Sequence, residues 1–134
     1  MKNILLIGCG HMGGSLMSGW SNFKNYTISV IDKKKYAILK KRNRNKKIKF
    51  FKSIDDINNQ NNLDYIIFAT RPLELPNVFK ELKDVNFNKK SIAISVIAGK
   101  KTEIFEKNLL NIRKIVRVMP NMPALIGEGV HCIY

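Results

Sequence analysis

The 134-residue chain reads as one doubly wound α/β domain: a parallel sheet with helices on both faces. Short apolar runs alternate with helical segments, the pattern of a sheet covered on both sides. The first run, KNILLI, is apolar on consecutive residues, as a strand buried on both faces must be. It ends in a glycine-rich turn, GCGHMGG, that leads into a helical segment.

Taken in order, Lys2–Ile7 forms the first strand, and residues 8–13 open a helix reaching Trp20, with Leu16, Met17 and Trp20 spaced to face the sheet. Tyr26–Ile31 forms the second strand, closed by Asp32 and followed by a lysine-rich helix. Ile48–Phe51 makes a short third strand and 63–70 (LDYIIFAT) a fourth. Pro72 suits the first turn of a helix running to about Leu82. Residues 91–99 (SIAISVIAG) form the fifth strand, and a helix follows from Thr102, a capping-type residue. Lys114–Met119 is the sixth strand and 129–134 the seventh, with no internal repeat or linker.

Composition narrows the function classes. A chain of this length holds about one domain that buries roughly two thirds of its surface, too short for a two-domain dehydrogenase. Its 45% apolar content argues against disorder, and no stretch approaches the roughly 20 apolar residues of a membrane span. The apolar run at the start is too short for a signal-peptide core, so a cytoplasmic protein without a membrane partner is expected. Cys9 and Cys132 lie in apolar segments and read as small buried thiols. Neither they nor His11 and His131 have metal-ligand spacing, so no metal is expected. The net charge of +14 comes largely from the run KKRNRNKKIKFFK at 40–52 and the triplet Lys33, Lys34 and Lys35. Without a helix-turn-helix or zinc-finger pattern this reads as a solvated basic face, with no nucleic-acid partner.

Gly8, Gly10 and Gly13 match G-x-G-x-x-G between a predicted strand and a predicted helix, and an acid, Asp32, ends the next strand. That combination is the fingerprint of the Rossmann fold. Gly8 permits the tight turn, Gly10 removes a Cβ that would meet a pyrophosphate, and Gly13 lets helix and strand pack closely. Asp32 has two readings: a ligand for the ribose 2′-hydroxyl of NAD, or an N-cap for the second helix. The lysines that follow it suit the 2′-phosphate of NADP, so NADPH and NADH both stay open.

Segments FATRP and SVIAG end strands at the sheet edge that carries the glycine loop, where open α/β sheets bind ligands. Further on, VRVMPNMPALIGEG at 116–129 sets two prolines around Asn121, a rigid loop beyond what a simple connection needs. With these four segments in order, the chain resembles the N-terminal domain of the pyrroline-5-carboxylate reductase family. FATRP stands for that family's A-V-K-P, SVIAG for its S-x-x-A-G, and the last for its V-R-x-M-P-N-T-P-A-x-x-G-E-G signature. Arg71 replaces the usual lysine, Met122 the usual threonine, and His131 falls where threonine is common.

The resemblance implies reduction of 1-pyrroline-5-carboxylate to L-proline, the last step of proline biosynthesis, with hydride from NADPH or NADH. It implies that Gly8, Gly10, His11, Met12 and Gly13 hold the pyrophosphate and that Asp32 and Lys33 hold the adenosine ribose. Ala69, Thr70, Arg71 and Pro72, with Ile97, Ala98 and Gly99, would hold the nicotinamide half. Asn121 is placed near the reacting centre, or is a turn residue bonded to its own backbone. Arg71 either serves the site or pairs with Glu74, and Glu128 reads as a partner of loop amides. Family members continue into a helical domain that forms homodimers or higher oligomers. This chain is expected to stop where that domain begins, as a fragment or a natural half-enzyme. Two alternatives stay open: a non-catalytic dinucleotide-binding module, and another NAD(P)-dependent reductase of the 3-hydroxyacid dehydrogenase type.

Overall fold

The computed structural model describes residues 1–120 and 132–133. Seven strands form one sheet: β1 (Lys2–Ile7), β2 (Tyr26–Ile31), β3 (Ile48–Phe51), β4 (Tyr65–Phe68), β5 (Ile92–Ser95), β6 (Lys114–Met119) and β7 (Cys132–Ile133). Their order is β3-β2-β1-β4-β5-β6-β7, parallel throughout except for the antiparallel β6–β7 pair. The parallel expectation therefore holds for six strands. Of the seventh, only Cys132–Ile133 lies within the described residues.

β1 is the pivot. It pairs with β2 on one side, Ile4 opposite Ile28, and with β4 on the other, Ile4 opposite Tyr65. Because strand side chains alternate, Leu5 and Ile7 enter one core while Ile4 and Leu6 enter the other. A strand buried on both faces must be apolar at each buried position, which is why Ile4–Ile7 shows no alternation.

Helices cover both faces. On the Ile4 and Leu6 side lies α1 (His11–Trp20), with Leu16 buried and Met17 and Trp20 packed against the core, as their spacing predicts. Leu39 of α2 (Tyr36–Arg42) joins the same layer. On the opposite side α3 (Leu75–Leu82) and α4 (Thr102–Asn108) supply Phe79 and Phe105. These rings meet Phe68 of β4, with Phe68–Phe105 centroids 5.1 Å apart and Phe79–Phe105 centroids 5.4 Å apart. Edge-on aromatic packing of this kind adds about 1 kcal/mol per pair beyond the area buried.

Element edges differ from the sequence reading where side chains or turns compete. Pro72 sits in a turn ahead of α3, and Pro76 occupies the first helical turn, where a missing N–H costs nothing. Thr102 is the first residue of α4, and Lys101 takes the cap position without a side-chain bond. The link from β3 to β4 holds two short 3-10 helices, Ile54–Asp56 and Gln60–Asn62, in place of a full helix. A capping box between Ser53 and Asp56 starts the first of them.

Candidate functional site

The glycine loop lies at the C-terminal end of β1, where the connections to the two halves of the sheet diverge. Gly8 has φ +93°, and a Cβ there would lie 2.7 Å from the Ala69 carbonyl oxygen. A Cβ on Gly13 would lie 2.2 Å from the Gly8 carbonyl oxygen, so α1 packs against the loop only because residue 13 has no side chain. Gly10 differs. Its φ of −74° suits any L-residue, and among the described residues no atom beyond its chain neighbours lies within 4 Å of a Cβ built there. The chain's own packing does not require glycine at position 10, so the space in front of it is free to admit a ligand. Gly10 also caps α1 without a side-chain bond, and no acid stands in the first turn, so the amides of His11, Met12 and Gly13 have no intrahelical partner and can take a ligand.

A cleft of about 670 Å³ opens beside this loop. Gly8, Gly10, Asp32, Lys33, Ala69, Thr70 and Arg71 line it, so the fold brings together seven of the predicted residues from three strand ends. His11, Met12 and Gly13 form the adjoining helical turn. Pro72 is exposed just beyond the lining. Ile97, Ala98 and Gly99 lie past the end of β5 outside that lining. The Ile97 side chain is buried in the core, leaving only its backbone for a ligand, and Gly99 turns the chain at φ +70°. The Thr70 hydroxyl is buried and has no hydrogen-bond partner among the described residues, a polar group that a bound ligand or water would satisfy. Asn121, Met122, Glu128 and His131 lie outside the described residues.

The Asp32 carboxylate is held by backbone amides. One carboxylate oxygen accepts the Cys9 amide at 2.8 Å, and the other accepts the amides of Lys34 at 3.1 Å and Lys35 at 2.9 Å. The N-cap position of α2 itself falls to Lys35. Asp32 thus ties the glycine loop to the start of the second connection. Lys35 completes the tie, its Nζ donating to the Cys9 carbonyl at 3.0 Å.

Glu74 does not pair with Arg71. It accepts from Lys34 Nζ, while Glu81 accepts from Lys33 Nζ, both at 2.5 Å. Among the described residues the Arg71 guanidinium has no hydrogen-bond or ion-pair partner, and it lines the cleft free to meet an anion. Glu74, Asn77 and Glu81 all line the cleft; the sequence reading missed the last two and took Glu74 only as a partner for Arg71. Their spacing of three and four residues along α3 is the signal that marks one helix face. The cysteine expectation holds for Cys9, which is buried, and fails for Cys132, which is exposed. Cys132 stands on β7, a two-residue strand at the end of the strand order. Burial, with the Asp32 charge second, pushes the Cys9 thiol pKa up. Among the described residues no His, Cys, Asp or Glu cluster could hold a metal, and no helix is long and apolar enough to cross a membrane.

The protein-family model for NADP oxidoreductase, coenzyme F420-dependent, matches residues 3–99. The chain belongs to that family. This NADP oxidoreductase family chain is 32% identical to the pyrroline-5-carboxylate reductase of Haemophilus influenzae, over 96% of this chain and 46% of that protein. It is 29% identical to the pyrroline-5-carboxylate reductase of Methanosarcina acetivorans, over 96% of this chain and 47% of that one. The chain thus spans about half the length of these curated relatives. Among solved structures, a pyrroline-5-carboxylate reductase from Coxiella burnetii matches with a TM-score of 0.74 at 26% identity, over 98% of this chain and 48% of that one. The Plasmodium falciparum pyrroline carboxylate reductase, solved with NADP bound, matches with a TM-score of 0.71 at 22% identity, over 99% and 48%. At that identity the second likeness shows the fold alone.

Proposed function

We propose that this chain is the dinucleotide-binding part of a pyrroline-5-carboxylate reductase, an NAD(P)H-dependent oxidoreductase acting on a cyclic imine. The space kept open in front of Gly10 is the observation that carries the binding half of this reading. The curated relatives carry the choice of reaction.

The residues present fit a dinucleotide. The amides of His11, Met12 and Gly13 at the start of α1 would hold the pyrophosphate, aided by the positive end of the helix dipole. Asp32 has lone pairs left after its three backbone bonds, and with Lys33 it would take the adenosine ribose. Ala69, Thr70, Arg71 and Pro72, with the backbone of Ile97, Ala98 and Gly99, would border the nicotinamide half. A reduced nicotinamide bound there supplies hydride to the imine carbon. Arg71 places a cation with no ion-pair partner among the described residues just past the end of β4, a counter-charge for phosphate or for the substrate carboxylate. Asn121 would stand near the reacting centre. Reduction of the imine also requires a proton, which solvent or a side chain must supply. Assembly into homodimers or larger oligomers, and a cytoplasmic setting, belong to the same proposal.

The test is a titration of the chain with NADPH and NADH, followed by addition of 1-pyrroline-5-carboxylate. Saturable binding with oxidation of the reduced cofactor supports the whole reading. Binding without oxidation restricts the chain to holding cofactor, and no binding of either nucleotide overturns the reading.

A further inference from the structure

We infer that Glu74 and Glu81 set the cofactor preference of this cleft, because they hold the two lysines that a 2′-phosphate on the adenosine ribose would need. This inference rests on the dinucleotide reading above and deepens it.

The two ion pairs bridge the cleft. Lys33 and Lys34 follow β2 on one wall, and Glu74 and Glu81 belong to the N-cap and last turn of α3 on the other. Lys35, the third of the triplet, is drawn away to the Cys9 carbonyl. The acid at the ribose position, Asp32, already accepts three backbone amides. The charge balance facing the ribose is therefore decided by what Lys33 and Lys34 are bound to.

Both pairs are open to solvent, with the lysine side chains 58% and 76% exposed. Exposed lysine–glutamate pairs are weak and exchange readily. A phosphate dianion, with more charge and three acceptor oxygens, is a stronger partner for either lysine. A nucleotide without the 2′-phosphate leaves both pairs intact. A nucleotide carrying it must displace two carboxylates, which then face the phosphate as like charges. Glu74 and Glu81 therefore weaken NADPH binding selectively and narrow its advantage over NADH.

The experiment is calorimetric titration of the chain and of its Glu74→Gln/Glu81→Gln variant with NADPH and with NADH at fixed ionic strength. The variant is expected to bind NADPH about three- to tenfold more tightly and NADH within about twofold of the parent. The Lys33→Gln/Lys34→Gln variant is expected to move the ratio the opposite way. Thermal melts confirm folding, and the single variants E74Q and E81Q, each giving part of the shift, carry the test if the double variant melts early. If both nucleotides bind and their affinity ratio is unchanged by the glutamate substitutions, the inference is overturned and the dinucleotide reading stands. If the parent binds neither nucleotide, both fall.

Discussion

The carboxylate of Asp32 accepts the amide of Cys9 at 2.8 Å, across 23 positions of sequence, and so joins the end of β2 to the glycine loop that follows β1. The same carboxylate receives the Lys34 and Lys35 amides. Asp32→Ala leaves all three amides to water, and charge-assisted bonds of this kind contribute about 1–3 kcal/mol together at a half-buried site. Urea denaturation is expected to read a loss near 2 kcal/mol, with nucleotide affinity falling as the loop loosens. An unchanged midpoint would show that the loop is held by its glycine packing alone.

The glycines separate ligand space from packing. Gly10→Ala places its methyl where no atom of the described residues beyond the chain neighbours lies within 4 Å, so the melting temperature is expected to stay within about 2 °C, while dinucleotide affinity drops by about tenfold or more. Gly13→Ala drives a methyl into the Gly8 carbonyl oxygen, 2.2 Å from the ideal Cβ position. Overpacking against rigid backbone is expected to cost about 3 kcal/mol or more. Melting curves beside titrations of both variants distinguish the two roles.

Thiol chemistry divides the two cysteines. Cys132 is exposed and is expected to react with a disulfide reagent at the rate of a free thiol. Cys9 is buried, with its pKa pushed up by burial and by the Asp32 charge, so its thiolate is scarce at neutral pH. Stopped-flow labelling should show one fast equivalent and a second that appears only as the chain unfolds.

At the opposite edge of the sheet, Asp64 accepts the Asn3 amide at 2.9 Å and pairs with Lys2 at 3.0 Å. The Asn3 bond is the larger cause of its lowered pKa, and the Lys2 contact adds to it. Because the folded pKa lies below the unfolded one, the stabilisation is complete above the ordinary carboxylate pKa of about 3.9 and is lost as pH falls through the folded value. With the side chain 31% accessible, solvent screening limits the effect to about 1 kcal/mol. Asp64→Asn should therefore trail the parent by that amount at pH 7, with the two curves converging as the pH falls below the folded pKa. A constant gap across the acid range would assign the loss to packing.

Local pattern determined most of the frame. Consecutive apolar residues mark β1 as doubly buried, and Tyr26–Ile31, Ile48–Phe51 and Lys114–Met119 are strands over the lengths their own residues predict. Gly8, Gly10 and Gly13 mark the turn because each lies within a few residues of the strand and helix it joins, so their spacing carries the geometry. The family resemblance was legible for the same reason, in contiguous segments. What the tertiary structure decided depends on strand order. Glu74 and Glu81 reach Lys34 and Lys33, 40 and 48 positions away, because β1 lies between β2 and β4 and sets the two following connections on either side of one cleft. Arg71 loses its nearest acid to a lysine for that reason. Of the three amides on Asp32, those of Lys34 and Lys35 are its own near neighbours, and only folding brings the Cys9 amide beside it. Periodicity records which face of an element is buried; it contains no information about which distant charge that face will meet.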